Sequence, residues 1–228
     1  MNPEQHDEPR RLEGISELAA VGDFIRMHGL RISLWAAAAL AVGIGASGYR
    51  GCARHHDAEA TRLFSSARTI QDLETVVEKY PSADAAPLAL LRLAKAYYDV
   101  GRYDLALQKY SDFIDRFGAH DLVKAAELGR IHCREALGQF REAERDFRAF
   151  AAANADNYLT PQAVFGRARC LEQMDLYNEA RIVYEDFIAT RPDSGWMPRA
   201  KQALETLQEK IESTQPEASA PSAGDDTP

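Results

Sequence analysis

Residues 101–114 read GRYDLALQKYSDFI, and two altered copies of this stretch follow in the chain. The second copy is GQFREAERDFRAFA at 138–151 and the third is DLYNEARIVYEDFI at 175–188, so each step is 37 residues long. Four positions keep an aromatic or alanine side chain in every copy: Tyr103, Phe140 and Tyr177; Ala106, Ala143 and Ala180; Tyr110, Phe147 and Tyr184; Phe113, Phe150 and Phe187. Self-similarity at a period of this length predicts stacked structural repeats.

Each copy predicts a pair of helices. The first helix is apolar with small residues, as in PLALLRLAKAYYDVG at 87–101, and a turn follows at Gly101 or Gly138. The second helix is amphipathic and carries the recurring aromatic side chains on one face. Neither helix buries its apolar stripe alone, whereas stacked copies do. The more polar segment 198–212 is typical of a solvated capping helix.

The repeated residues resemble the tetratricopeptide repeat. Eight residues of its pattern occur in the copy at 87–120: Leu90, Leu93, Ala94, Tyr97, Gly101, Tyr103, Ala106 and Tyr110. Seven occur in the copy at 161–197: Val164, Ala168, Leu171, Tyr177, Ala180, Tyr184 and Pro192. The copy at 124–160 departs from the pattern, with Ile131 and Arg134 at the positions of Ala94 and Tyr97. The resemblance covers about residues 60–212 and implies an all-α solenoid.

The period and two short phrases resemble one branch of these proteins. The phrases are EKYPSAD at 78–84 and TRPDS at 190–194. They are similar to bacterial envelope proteins of the TolA-binding, BamD-like and YfgM families. This resemblance is specific for the fold and says little about function.

An uncharged run precedes the repeats. Residues 32–49 read ISLWAAAALAVGIGASGY. As a helix this run would be about 27 Å long, close to the hydrocarbon core of about 30 Å. Arginines flank both ends, and Trp35 and Tyr49 lie where aromatic rings favour the membrane interface. The run predicts a single transmembrane helix. A cleaved signal peptide is the weaker alternative, because an acidic segment of 31 residues precedes the run.

The glycines of this run match the spacing of a dinucleotide-binding loop. Gly43, Gly45 and Gly48 fit G-x-G-x-x-G. Such a loop needs a strand before it and an acidic residue about 20 positions later. Helix-favouring alanines precede the glycines, and residues 61–68 contain no acidic side chain. The sequence therefore predicts no cofactor here.

The layout of the whole chain is similar to that of the YfgM family. The predicted segments are a tail at 1–31 with an amphipathic pattern, the span at 32–49, a juxtamembrane linker at 50–60, the repeat domain at 61–212 (repeats near 87–120, 124–160 and 161–197, cap 198–212) and a disordered tail at 213–228. The resemblance implies an inner-membrane protein with a cytoplasmic N-terminus and periplasmic repeats. It also implies the SecYEG translocon and periplasmic chaperones as partners. The flanking arginines do not decide the orientation.

Little in the sequence indicates chemistry. The net charge of −8 disfavours nucleic-acid binding. Cys133 and Cys170 occupy the same repeat position and predict small core residues. Four possible metal ligands lie close together just after the predicted span: Cys52, His55, His56 and Asp57. Polar residues are expected at that place in any case, so no metal site is predicted. No catalytic motif or small-molecule site is recognisable.

The remaining candidate site is the concave face that the first helices of the repeats would line. By repeat numbering this groove carries Leu88, Leu91, Lys95, Tyr98, Leu128, His132, Glu135, Phe165, Arg169 and Glu172. The mixture suits an extended peptide or a partner helix. In the alternative, some of these residues only pack against the N-terminal helix or the cap. The carboxylate clamp of chaperone-binding repeats is not matched, because Leu91 and Lys95 stand where that clamp has lysine and asparagine.

These features predict a membrane-anchored, non-enzymatic adaptor in the bacterial periplasm that holds or hands over proteins near the secretion machinery. Two alternatives stay open. One is a structural scaffold for outer-membrane or cell-wall assembly, and the other is a cytosol-facing adaptor on the same anchor.

Overall fold

The computed structural model describes residues 33–35, 37–44 and 51–214. The predicted tail at 1–31, both ends of the predicted span and nearly all of the predicted C-terminal tail lie outside these residues. The chain divides into two compact units, Met1–Glu59 and Ala60–Pro228. Each unit is described by itself below.

The described residues of the first unit are helical. Residues 33–35 and 37–44 expose large apolar side chains, namely Leu34, Trp35, Leu40, Val42 and Ile44. Residues 51–66 form α1, so the segment predicted as a linker at 50–60 is helical from residue 51 onward. Among the helices of the described ranges, none is long and apolar enough to cross a membrane.

The second unit is a row of antiparallel helix pairs. After α1 come α2 (Ile70–Lys79), α3 (Ala86–Asp99), α4 (Tyr103–Arg116), α5 (Val123–Ala136), α6 (Phe140–Ala153), α7 (Thr160–Gln173), α8 (Tyr177–Thr190) and α9 (Met197–Thr214). From α2 onward each helix packs on the next one. In addition α3 contacts α5, and α5 contacts α7. The first helices of successive repeats therefore share one face of the solenoid.

The turn inside each repeat ends the first helix with a left-handed residue. Gly101 and Gly138 both have φ 77°, and Asp175 has φ 59° at the same repeat position. The residue after it closes the turn with a backbone hydrogen bond. In the first repeat, the Arg102 N–H donates to the Tyr97 carbonyl at 2.9 Å. This arrangement satisfies carbonyl groups that the helix end leaves free, and glycine adopts the required φ without strain. The turns predicted at Gly101 and Gly138 are confirmed.

The turn between repeats uses a different residue at the same 37-residue interval. His120 Nδ1 accepts from the Leu122 N–H at 3.1 Å, and Asn157 Oδ1 accepts from the Leu159 N–H at 2.9 Å. At the next interval, Ser194 Oγ accepts from the Trp196 N–H at 3.2 Å. Side chains that bond the backbone two residues on stabilise such turns. His120 therefore has a structural role.

The core between the repeats contains the recurring small and aromatic residues. Ala106, Ala143 and Ala180 are fully buried. Cys133 and Cys170 are also fully buried and are free thiols, which confirms them as small core residues. Burial raises the pKa of both thiols to about 12. They are therefore protonated and unreactive at neutral pH.

The second repeat fits the same frame with other side chains. Ile131 is buried where the first repeat has Ala94. At the position of Tyr97, whose hydroxyl bonds Glu74, Arg134 instead forms an ion pair with Asp146. The polar contact is thus kept although the aromatic ring is lost, and the departure from the repeat pattern does not alter the fold.

Candidate functional site

A cleft of about 340 Å³ opens on the face that α3, α5 and α7 share. Its lining residues are Lys95, Tyr98, Tyr110, Ala125, Leu128, Gly129, His132, Leu159, Gln162 and Arg169. Five of the ten predicted groove residues are among them. The structure therefore brings Lys95, Tyr98, Leu128, His132 and Arg169 together at one site.

A chain of hydrogen bonds forms one wall of the cleft. Arg169 donates to both carboxylate oxygens of Glu135, at 2.7 and 2.9 Å. The Oε2 atom of Glu135 lies 3.0 Å from His132 Nδ1. At the other side of the imidazole, Nε2 lies 3.3 Å from Gln162 Nε2. An Nδ1–H that donates to Glu135 and an Nε2 that accepts from the Gln162 amide would satisfy both contacts.

The charges of this wall compensate one another. Burial raises the pKa of Glu135, but hydrogen bonds from His132 and Arg169 outweigh it and hold that pKa below its usual range. Burial lowers the pKa of Arg169, and the bonded Glu135 outweighs this in turn, so the pKa of Arg169 is raised. Glu135 is only 15% exposed, and its carboxylate is retained as an ion because it is paired.

The floor of the cleft is the ring end of Tyr110. This side chain comes from α4 and is 5% exposed. Its ring passes directly over Gly129 of α5, where an added Cβ would lie 2.5 Å from Tyr110 Cζ. Glycine is therefore needed at 129 for the close approach of the two helices. Burial raises the pKa of the Tyr110 hydroxyl well above its usual range, so it is a neutral donor. Within residues 51–214 this hydroxyl has no hydrogen-bond partner.

The other predicted groove residues lie elsewhere. Leu88 is exposed at the start of α3 and does not line the cleft, and Leu91 packs against the core. Glu135 stands behind the cleft wall as the partner of Arg169. Glu172 accepts a hydrogen bond from Tyr184 at 3.2 Å and pairs with Lys210 of α9 at 3.1 Å.

Phe165 is a correction to the predicted groove. It is 3% exposed, and its ring packs against Trp196, Tyr184 and Phe187 at centroid distances of 5.2 to 5.5 Å. The Arg199 guanidinium lies 5.7 Å from the same ring. Trp196 directly precedes α9 and Arg199 lies in its first turn, so the start of α9 closes over this end of the face. Phe165 therefore cannot serve as groove surface.

Two cleft residues that the sequence prediction omitted follow from the repeat itself. Ala125 and Gln162 lie 37 and 74 residues after Leu88 and occupy the equivalent position in the next two repeats. Applying the 37-residue interval to Leu88 would have predicted both residues. Tyr110 was aligned as a repeat aromatic, but no sequence signal indicated that its hydroxyl end reaches the groove.

A larger depression, about 510 Å³, lies between α6, α7 and α8. Several of its polar side chains already have partners: Arg167 donates to Glu144 at 2.8 Å, and Arg191 donates to the Ala155 carbonyl at 2.8 Å. No group of three histidine, cysteine or acidic side chains in the described part of the chain could hold a metal ion. The cleft at Tyr110 is therefore the stronger candidate.

Comparison with known proteins identifies the repeats. The family model named tetratricopeptide repeat matches residues 88–119 and 162–194. The unmatched second repeat is the one with Ile131 and Arg134. No curated protein sequence matches the chain. These repeats form protein-interaction scaffolds with concave binding surfaces.

Solved structures support the same fold. A tetratricopeptide repeat protein from Parabacteroides merdae has a TM-score of 0.50 at 16% identity, over 70% of this chain and 61% of that one. Nearly identical repeats of a putative kinesin light chain from Podosopora anserina also reach 0.50, at 17% identity, over 71% of this chain and 93% of that one. The fold is an all-helical tetratricopeptide-repeat solenoid, as the sequence predicts. The comparisons support the repeat family and no particular envelope family.

Proposed function

We propose that this chain is a non-enzymatic adaptor that binds an extended segment of a partner protein in the cleft between α3, α5 and α7. The observation that carries the proposal is the Tyr110 hydroxyl, a donor at the floor of an open cleft that has no hydrogen-bond partner among the described residues. A main-chain carbonyl of a bound peptide supplies an acceptor for this donor.

We further propose that the adaptor is anchored in the bacterial inner membrane through residues 32–49, with its repeats in the periplasm. The uncharged run and its flanking arginines support the anchor. Its described residues are helical and expose Leu34, Trp35, Leu40, Val42 and Ile44, which suits contact with lipid. Similarity of layout to the YfgM family supports a position beside the SecYEG translocon, with periplasmic chaperones as neighbours.

Site-specific photocrosslinking in cells tests the binding surface. A benzoylphenylalanine at Gln162 lies in the cleft, whereas one at Arg145, an exposed side chain of α6, is the matched control. We expect adducts with other proteins from Gln162 and none from Arg145. Adducts of equal yield from both positions would contradict the cleft as the binding surface. Translocon subunits among the adducts support the proposed location, and cell-wall enzymes or self-adducts alone support a scaffold instead.

Protease treatment of spheroplasts tests the orientation. We expect the repeat unit to be digested while a cytoplasmic marker stays intact. Protection of the repeat unit would favour the cytosol-facing adaptor. Extraction with alkaline carbonate tests the anchor, because a chain held by residues 32–49 stays with the membrane pellet and a deletion of these residues releases it.

A further inference from the structure

The recurring aromatic residue of the three inter-repeat junctions differs in its hydroxyl group. Tyr110, Phe147 and Tyr184 occupy the same repeat position. The Tyr184 hydroxyl donates to Glu172 at 3.2 Å, and Phe147 has no hydroxyl. Within the described part of the chain, Tyr110 is therefore the member of this series that carries an unbonded hydroxyl. A polar atom with no structural partner is the kind of group that a ligand contacts.

The charges near this hydroxyl leave no net charge for a ligand. Lys95 pairs with Asp99, and Arg169 forms two hydrogen bonds with Glu135. Apart from Tyr110 itself, the rest of the lining consists of Ala125, Leu128, Gly129, Leu159, Tyr98, Gln162 and His132, whose ring contacts Glu135. A charged side chain entering this cleft would lose water and would have to compete with Asp99 or Glu135 for an ionic partner, which is unfavourable. An uncharged side chain loses nothing comparable and gains apolar contact.

The size and position of the cleft fix the scale of the contact. A volume of about 340 Å³ accommodates one or two residues and not a helix. The Tyr110 donor lies at the floor, between Tyr98 of α3 and Gly129 of α5. A main-chain carbonyl is the acceptor that every extended peptide offers beside each side chain.

We propose that the Tyr110 end of the cleft is the specificity pocket of the adaptor and takes one uncharged side chain of an extended partner segment, whose adjacent main-chain carbonyl accepts from the Tyr110 hydroxyl. This inference rests on the proposed binding function and adds the class of segment. The equivalent junction at Phe147 offers no such donor, so the register of the bound segment is set at the first junction.

Selection from a random peptide library tests the pocket. The probe is a phage-displayed library of dodecapeptides, selected on the full chain in detergent. We expect the selected sequences to share one uncharged anchor residue. Replacement of that anchor by Asp or Lys in a synthetic peptide should weaken binding by more than tenfold. A charged anchor in the selected sequences would overturn the inference.

The Tyr110 hydroxyl is tested with the same synthetic peptide. Loss of one hydrogen bond predicts about fivefold weaker binding to Tyr110→Phe. Tyr184→Phe removes a hydroxyl outside the cleft and should bind the peptide unchanged. Equal thermal midpoints of the variants exclude misfolding. An affinity of Tyr110→Phe within twofold of the unchanged chain would sink the inference while the cleft remains a binding surface. Gln162→Trp places an indole in the cleft, and peptide binding that survives this change would instead refute the proposed function.

Discussion

Two junctions of the solenoid have the same packing and different surfaces. At one, the ring of Tyr110 lies over Gly129, and at the other the ring of Phe147 lies over Gly166. The His132 ring covers Phe147 at a centroid distance of 5.0 Å, and Glu135 and Arg169 hold His132 in place. Tyr110 has no such cover, and its ring end borders the open cleft. The repeat thus fixes the backbone approach, while the residues above the ring decide whether a junction is core or site.

Replacing the glycine at each junction by alanine should give the largest difference in stability between the two junctions. A Cβ at position 166 would lie 2.5 Å from Cζ of Phe147, a ring that is fully buried and cannot move away. We expect Gly166→Ala to cost about 3 kcal/mol, at the upper end of the usual cost of overpacking. Gly129→Ala should cost about half as much, because the end of Tyr110 can shift toward the cleft.

Urea unfolding of the full chain in detergent, followed by circular dichroism, measures both glycine variants. Gly195→Ala is the control, since nothing lies within 4 Å of a Cβ at that position. Equal costs at 129 and 166 would show that the cleft gives the Tyr110 ring no freedom.

A hydroxyl added at the covered junction should also be unfavourable. Phe147→Tyr places a hydroxyl beneath His132, where Phe147 is fully buried and does not border the cleft. A buried polar group without a partner costs about 1–3 kcal/mol. We expect a loss of about 2 kcal/mol in the free energy of unfolding, measured in urea. A neutral result would mean that the two junctions tolerate a hydroxyl equally, which contradicts the comparison.

The His132 ring that covers Phe147 is held in place by Glu135. Glu135→Gln replaces a carboxylate that accepts from Arg169 and His132 with an amide whose NH₂ faces donors. We expect the free energy of unfolding to fall by about 1–2 kcal/mol. The loss is smaller than for a fully buried charged hydrogen bond because Arg169 is 41% exposed and water screens the interaction. The control is Asp99→Asn in the exposed pair with Lys95, which should change stability by less than about 0.5 kcal/mol. Similar costs for both variants in urea unfolding would argue against a special role of the cover.

The pH dependence separates this pair from a packing effect. The pKa of Glu135 is lower in the folded chain than in the unfolded chain, so its contribution is fully present above the unfolded pKa of about 4.3 and is lost as pH falls through the folded pKa. The stability difference between the native chain and Glu135→Gln should therefore be constant at neutral pH and shrink in acid. A difference that stays constant down to pH 3 would rule out the ionised carboxylate as its source.

Much of this fold follows from the sequence because the repeat signals are local. The turn at Gly101 needs a positive φ, and Cys133 and Cys170 share a small buried position, so neighbours in the chain suffice to predict them. Phe165 could not be placed by the same reasoning. Its burial depends on Trp196, at the far end of its own repeat, and on Arg199 of the cap, and no pattern within one helix reports either contact.

The site was predicted in part for the same reason. The 37-residue interval, applied to the first helix of each repeat, predicted Lys95, Tyr98 and His132, because residues 37 apart lie on the same face. It missed Tyr110, which reaches the cleft from a second helix. That access depends on the absence of a side chain at Gly129, a contact between helices that no periodicity within one helix reports.

The smallest expected effect on stability sharpens the comparison most. Tyr110→Phe removes a hydroxyl that has no partner in residues 51–214, and it makes the first junction chemically like the second. Because no hydrogen bond is lost, we expect the free energy of unfolding to change by less than about 0.5 kcal/mol, the usual range for a change that leaves packing intact. Tyr184→Phe, which loses the bond to Glu172, should cost about 1 kcal/mol in the same urea experiment. If Tyr110→Phe proved the more costly of the two, the hydroxyl would be part of the structure, and the first junction would not be held open for a ligand.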